Sequence, residues 1–250
     1  MGTRGANSAT RVTEPSDGGG GSGGWHPATV VSVHRETPTA KTFRLRLTHS
    51  SRHVAGQHYV VRLTAPNGYT ALRSYSVASD PAEWPEIELT VELLRGGEVS
   101  TFLHESVVPG DELEVKGPIG RWFIWPGDVP SLLIGGGSGV VPLMSMLRVA
   151  RRMRSSELVK MVVSVRHPED LYYARELPGP ETTVIYTRRA PEGNERGIGR
   201  IGREDIPPLP SGGLAYICGS EPFAEAATEL ILSSGIPSDS LRIERFGASG

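Results

Sequence analysis

Residues 132–154 constrain the fold more than any other stretch. The apolar run Leu132-Leu133-Ile134 ends in Gly135-Gly136-Gly137-Ser138-Gly139-Val140-Val141-Pro142, and a helix-compatible segment follows to about Arg154. A strand that turns through glycines into a helix belongs to a parallel α/β arrangement, because the helix returns the chain to the start of the next strand. Glycines let a backbone approach a ligand closely. The helix start offers amide N–H groups and the positive end of a dipole. The segment is therefore a candidate diphosphate site, or else a glycine-rich turn with no ligand. The common G-x-G-x-x-G pattern has a third glycine where this chain has Pro142, a residue suited to a first helical turn.

The same texture continues downstream. Residues 160–165 predict a second buried strand, residues 170–177 a helix, and residues 183–186 a third strand. Residues 214–218 predict another strand. Ser220 then reads as an N-cap, Pro222 as N1 and Gly235 as C′ of a helix, and residues 241–243 form the last strand. Alternating strands and helices imply a parallel sheet covered on both faces. Upstream the texture is β. Short segments at residues 30–33, 43–47, 59–63, 74–78, 87–93 and 113–115 are broken by Gly and Pro, with one short helix at about 99–105. Six such strands suggest a small antiparallel β-barrel. The expected division is a disordered Gly/Ser-rich tail over residues 1–24, a barrel over 25–127 and an α/β domain over 128–250. The tail contains the hydrolase-like pattern G-x-S-x-G at residues 20–24, but without the strand and helix that a nucleophile elbow requires.

Composition removes several function classes. A chain of 250 residues suits two modest domains. The net charge of −2 gives no broad footprint for nucleic acid. The single cysteine, Cys218, rules out an intrachain disulfide and any four-cysteine zinc or iron–sulfur site within this sequence. It also points to a reducing, cytoplasmic compartment. No apolar run approaches the roughly 20 residues that a membrane helix needs, and no apolar export signal is read at the start.

Two more motifs lie in the barrel half. In Arg73-Ser74-Tyr75-Ser76-Val77-Ala78-Ser79, strand alternation puts Arg73, Tyr75 and Val77 on one face and Ser74 and Ser76 on the other. A cation, a ring and hydroxyls together suit a ligand with a phosphate and a flat polar ring, and also an ordinary strand. In Gly96-Gly97-Glu98-Val99-Ser100-Thr101-Phe102-Leu103, two glycines precede a short helix, which makes either a second anion site or a plain capped turn. His49 and His53 have i, i+4 spacing, but residues 48–54 read as a polar loop without further ligands, so no metal is expected.

In this order the motifs resemble the ferredoxin–NADP⁺ reductase superfamily from about residue 25 to residue 250. The marks are Arg73-Ser74-Tyr75-Ser76, Gly97-Glu98-Val99-Ser100, Gly117-Pro118-Ile119-Gly120, Gly136-Gly137-Ser138-Gly139-Val140-Val141-Pro142, Tyr216-Ile217-Cys218-Gly219 and Glu244-Arg245-Phe246-Gly247. The resemblance implies FAD on the barrel, NAD(P)H on a Rossmann-like α/β domain, and the nicotinamide meeting the flavin between them. It implies that Arg73, within the run that includes Ser74, pairs with the FAD diphosphate. Tyr75 then lies against the isoalloxazine, Ser76 bonds near its N5, and Gly97, Val99 and Ser100 cradle the diphosphate. Gly136, Gly137, Ser138 and Gly139 face the nicotinamide dinucleotide, Cys218 and Gly219 lie by its ring, and Glu244 and Phe246 close the other side of the flavin. Ser76, Cys218 and Glu244 are the catalytic candidates. Thr187 and Arg188, after the third strand of that domain, resemble a 2′-phosphate site and favour NADPH over NADH, with Arg200 or Arg196 as a second cation. The implied activity is an FAD-dependent oxidoreductase that passes electrons to a separate acceptor, a ferredoxin or an oxygenase component, and works as a monomer. The rival readings are a reductase of flavins or small molecules that needs no partner protein, and a flavin-binding sensor with little turnover.

Overall fold

The computed structural model describes residues 24–48 and 51–247. Residues 1–23 of the expected tail, with most of the hydrolase-like pattern, and His49 lie outside them.

Six strands form the first half: β1 (His26–Thr37), β2 (Ala40–Leu47), β3 (His58–Thr64), β4 (Thr70–Ser76), β5 (Glu86–Glu92) and β6 (Glu112–Ile119). They pair antiparallel in the order β4-β3-β6-β1-β2-β5. Val77 bridges Leu89, so the chain leaving β4 meets β5 and the sheet closes on itself. Alternation drives this closure. In β2, Phe43, Leu45 and Leu47 are buried while Arg44 and Arg46 turn outward. Ile87, Leu89 and Val91 from β5, Tyr59 and Val61 from β3, and Val115 from β6 complete the interior. Each such side chain, fully buried, contributes roughly 1.5–3 kcal/mol. Helix α1 (Glu98–Glu105) adds Val99 and Leu103 to this core.

The second half contains β7 (Ser131–Gly136), α2 (Val140–Met153), β8 (Val159–Val165), β9 (Thr182–Tyr186), β10 (Leu214–Ser220), α3 (Glu221–Ser233) and β11 (Leu241–Phe246). All strand pairs are parallel, in the order β11-β10-β7-β8-β9. The chain steps outward from β7 through β8 to β9, then returns to place β10 on the other side of β7. That reversal leaves a crevice at the carboxyl ends of β7 and β10, where open α/β sheets bind ligands. Leu133, Met161, Val163 and Tyr216 pack towards α2 on one face. Leu132, Ile134, Val162 and Ile217 pack towards α3 on the other.

Two local expectations are corrected. Residues 170–177 form no α-helix. A single 3₁₀ turn, Pro168–Asp170, leads into irregular turns, and Tyr173 has a φ of 54°, which a helix interior forbids. The burial of Leu171, Tyr172, Tyr173 and Leu177 explains the apolar spacing that reads as helical. In α3 the first helical residue is Glu221, so Pro222 is the second, and Ser220 occupies the N-cap without a side-chain capping bond.

Candidate functional site

The crevice is lined on one side by the turn after β7. Residues Gly137–Gly139 form one 3₁₀ turn that leads into α2, and neither flanking cap position has a side chain to satisfy the first amides. Gly139 lies directly on the end of β10, where a Cβ would overlap the Cys218 carbonyl and the Gly219 Cα. Gly137 has a φ of 55° and open space where a Cβ would stand. Ser138 is half-buried between them. Phe223, in the first turn of α3, was not singled out from the sequence. Its ring comes within 2.7 Å of where a Gly136 Cβ would stand, and lies equally close to Gly219. Its spacing from Ala227 and Ile231 reads as ordinary core, so no sequence signal set it apart.

Strands β10 and β11 hold the next group. Cys218 pairs with Glu244 in register, and Ser220 with Phe246. Cys218 is fully buried, and burial followed by the neighbouring Glu244 carboxylate pushes its thiol well above the ordinary range. That leaves it no nucleophilic character near neutral pH. Burial raises the Glu244 carboxyl to about 7. Its Oε2 is enclosed without a hydrogen-bond partner among the described residues. A buried acceptor without a partner is costly unless a ligand or a proton satisfies it. Phe246 is half-buried against the core beneath α2.

The barrel half carries the remaining candidate residues. In the β3–β4 register Arg73 faces Val61, Tyr75 faces Tyr59 and Ser76 faces His58. Ser76 is buried, and its hydroxyl makes no side-chain hydrogen bond among the described residues. Burial raises the Tyr75 phenol to about 12, against the opposing effect of Arg73. The Arg73 guanidinium bonds the Leu72 carbonyl at 2.6 Å and has no carboxylate partner among the described residues. Ser74 is exposed. The expected alternation stops at Ser76 because the strand does, and Val77 is buried as well. Beside β4 and β5, α1 follows Gly97 as its N-cap, again without a side-chain cap. Ser100 Oγ accepts from the Leu94 amide and donates to the Gly97 carbonyl, and Val99 is buried. What these two residues offer a ligand is their backbone amides.

After β9, the Arg188 side chain is exposed with no acidic partner among the described residues. Arg189 is paired with Glu169 and Arg196 with Asp205. Of the two residues expected as a second cation, Arg196 is thus engaged by Asp205 and Arg200 is exposed. His53 is buried with Nε2 on the Ser79 carbonyl at 3.1 Å. Among the described residues no cluster of His, Cys, Asp and Glu is arranged to hold a metal.

Two uncapped helix starts, a turn pressed onto a strand end, an unpaired arginine and an unsatisfied buried carboxyl oxygen fit a flavin and a dinucleotide. Residues 27–124 match the family described as an oxidoreductase FAD-binding domain, and residues 133–229 match an oxidoreductase NAD-binding domain. The chain belongs to the ferredoxin–NADP⁺ reductase superfamily. This reductase is 28% identical over 241 residues to the ferredoxin–NAD(P)⁺ reductase component of the naphthalene 1,2-dioxygenase/salicylate 5-hydroxylase systems of a Ralstonia species, covering 90% of this chain and 71% of that one. It is 32% identical over 208 residues to ferredoxin–NADP reductase B of Sorangium cellulosum, covering 77% of this chain and 84% of that one. It superposes on the flavohaem-like FAD/NAD-binding domain of nitric oxide dioxygenase from Vibrio cholerae with a TM-score of 0.79 at 21% identity, over 89% of this chain and 98% of that one. The reductase is an FAD-dependent, NAD(P)H-using flavoprotein oxidoreductase. FAD, when bound, supplies the redox chemistry by accepting hydride from the nicotinamide and releasing electrons onward.

Proposed function

We propose that the reductase favours NADPH over NADH and delivers electrons to a separate protein, a ferredoxin or an oxygenase component. Arg188 carries the nucleotide preference. It is an exposed guanidinium free of acidic partners among the described residues, next to Thr187 at the end of β9, and its neighbours Arg189 and Arg196 are already paired. A guanidinium fork matches a phosphate dianion, and an acidic residue there would instead repel it. The single cysteine leaves this sequence no four-cysteine cluster of its own to relay electrons. The named roles of the Ralstonia and Sorangium relatives point the same way.

In this reading Arg73 and the amides of Val99 and Ser100 hold the FAD diphosphate, Tyr75 and Phe246 flank the flavin ring, and the Ser76 hydroxyl bonds its reacting edge. The Gly137–Gly139 turn and Gly219 hold the dinucleotide. Cys218 shapes the nicotinamide pocket from beneath, and Glu244 holds a proton near neutral pH. Residues 25–127 form the flavin domain and 128–250 the nucleotide domain of a monomer. No described helix is long and apolar enough to cross a membrane, and a lone buried thiol suits a cytoplasmic setting.

The test is anaerobic addition of NADPH or NADH to the purified protein while flavin absorbance is followed. Bleaching with NADPH at lower concentration than NADH, then reoxidation by added ferredoxin faster than by free flavin, is the expected result. Flavin that stays oxidised with both nucleotides means that the protein is no reductase. Reoxidation by free flavin alone means that it needs no protein partner.

A further inference from the structure

The dinucleotide-facing turn and the flavin-facing strand are tied to one helix. Three residues on one face of α2, Ser145, Arg148 and Arg152, reach across to the barrel. Ser145 Oγ donates to the Ser79 carbonyl at 2.7 Å. Arg148 donates to the Ala78 carbonyl at 3.0 Å and to Glu88 at 2.6 Å. Arg152 Nε donates to Asp80 at 2.6 Å. Residues 78–80 are the direct continuation of β4, two residues beyond Ser76, and α2 itself starts at the Gly137–Gly139 turn.

Arg148 is the centre of this contact. Its other guanidinium nitrogens bond Glu176 of the nucleotide half, and the group lies 5.2 Å from the centre of the Tyr173 ring. Its side chain is 16% exposed and that of Glu88 is 17% exposed, so this is no solvated surface pair. The planar fork satisfies barrel and nucleotide half at once, a geometry that lysine's single ammonium cannot reproduce. A hydride acceptor and donor must approach within about 3–3.5 Å, and a misplacement of ~1 Å can cost on the order of a hundredfold in rate.

We propose that Arg148 is a positioning residue for hydride transfer, fixing α2 and its dinucleotide-facing turn against the barrel strand that carries Ser76. The proposal rests on nucleotide-driven reduction of the flavin. It touches neither cofactor's binding groups, so its signature is a split between rate and affinity.

Anaerobic stopped-flow reduction of the FAD-loaded protein, with NADPH varied, reads both. In Arg148→Met the limiting reduction rate is expected to fall on the order of tenfold, while flavin content and nucleotide Kd stay within about twofold of wild type. Arg148→Lys should recover part of the rate, and Glu88→Gln should reproduce the loss. If Arg148→Met fails to fold, Ser145→Ala removes one grip without stranding a buried charge and should show the same split on a smaller scale. Hydrogen exchange on the flavin-free protein gives a second reading, with faster exchange confined to residues 77–80 and the facing turns of α2. An unchanged limiting rate, or a rate loss matched by equal losses of flavin or nucleotide affinity, overturns the proposal. Wild-type protein that neither nucleotide reduces overturns the underlying activity, and this inference with it.

Discussion

Ser76, Glu244 and Arg188 carry three different chemical groups, and each is expected to fail in its own way when removed. Ser76 sits at the end of β4 with an unused hydroxyl. If Arg73 and the amides of α1 hold the diphosphate as proposed, Ser76→Ala should keep its FAD yet be reduced more slowly at saturating nucleotide. An unchanged rate in stopped-flow would make Ser76 a mere strand residue. Glu244 differs because it titrates. Its carboxyl is raised to about 7 by burial, so the fold favours the protonated form. Its contribution to stability is therefore complete below the ordinary carboxylate pKa, about 4.3 for glutamate, and is lost as pH rises through 7. In flavin-free protein, Glu244→Gln should melt progressively above wild type as pH rises from 5 to 7, with the gap level beyond. Melting curves that run parallel across that range would contradict the burial argument. Arg188→Ala should cost NADPH roughly 1.5–3 kcal/mol in kcat/KM, about ten- to a hundredfold, and leave NADH nearly untouched. Equal losses with both nucleotides would show that Arg188 does not read the phosphate.

At the scale of elements, the turn after β7 is the least tolerant. A methyl group at Gly139 would collide with the Cys218 carbonyl, which is backbone and cannot swing aside. Gly139→Ala should displace the turn from β10, weaken nucleotide binding, and cost roughly 1–3 kcal/mol of stability by overpacking. Isothermal titration with NADP⁺ and a thermal melt check both parts, and normal binding would place the turn away from the ligand. This turn was legible in the sequence because its cause is local, glycines between an apolar run and a helix. The period-2 strands β2 and β5 were legible for the same reason. β1 runs from His26 to Thr37, far beyond its expected core of residues 30–33, because His34 and Arg35 are exposed and mask the alternation. Residues 170–177 misled because tertiary burial of two tyrosines, not a helix, set their spacing. Arg148 and Phe223 were invisible for a deeper reason. An arginine within Arg148-Val149-Ala150-Arg151-Arg152 reads as a solvated helix face, and only the barrel packed against α2 makes it buried. The raised carboxyl of Glu244 was equally hidden, since it depends on enclosure between strands brought together by a crossover.

At the scale of the whole molecule, the two halves do not pack as independent bodies. Ala40, Ala55 and Ala78 from the barrel half belong to the same apolar core as Leu143, Met146 and Leu147 of α2. A buried polar chain crosses the same boundary, with the Tyr173 hydroxyl 2.6 Å from that of Thr90, which is 2.6 Å from Thr42. Interfaces between domains that are small and wet permit separate unfolding, whereas a shared core with satisfied buried polar groups couples them. Flavin-free reductase should therefore unfold in one calorimetric transition, with calorimetric and van't Hoff enthalpies in agreement. Tyr173→Phe removes one hydroxyl from the chain while leaving the ring in place and the two threonines still bonded to each other. Its cost should be about 0.5–1.5 kcal/mol, the net worth of one hydrogen bond. Because the halves are coupled, the single transition should move down as a whole, by roughly 1–6 °C for a chain of this size. Two resolved transitions in wild type, or a shift confined to one half of the Tyr173→Phe protein, would show that the barrel and the nucleotide domain unfold on their own.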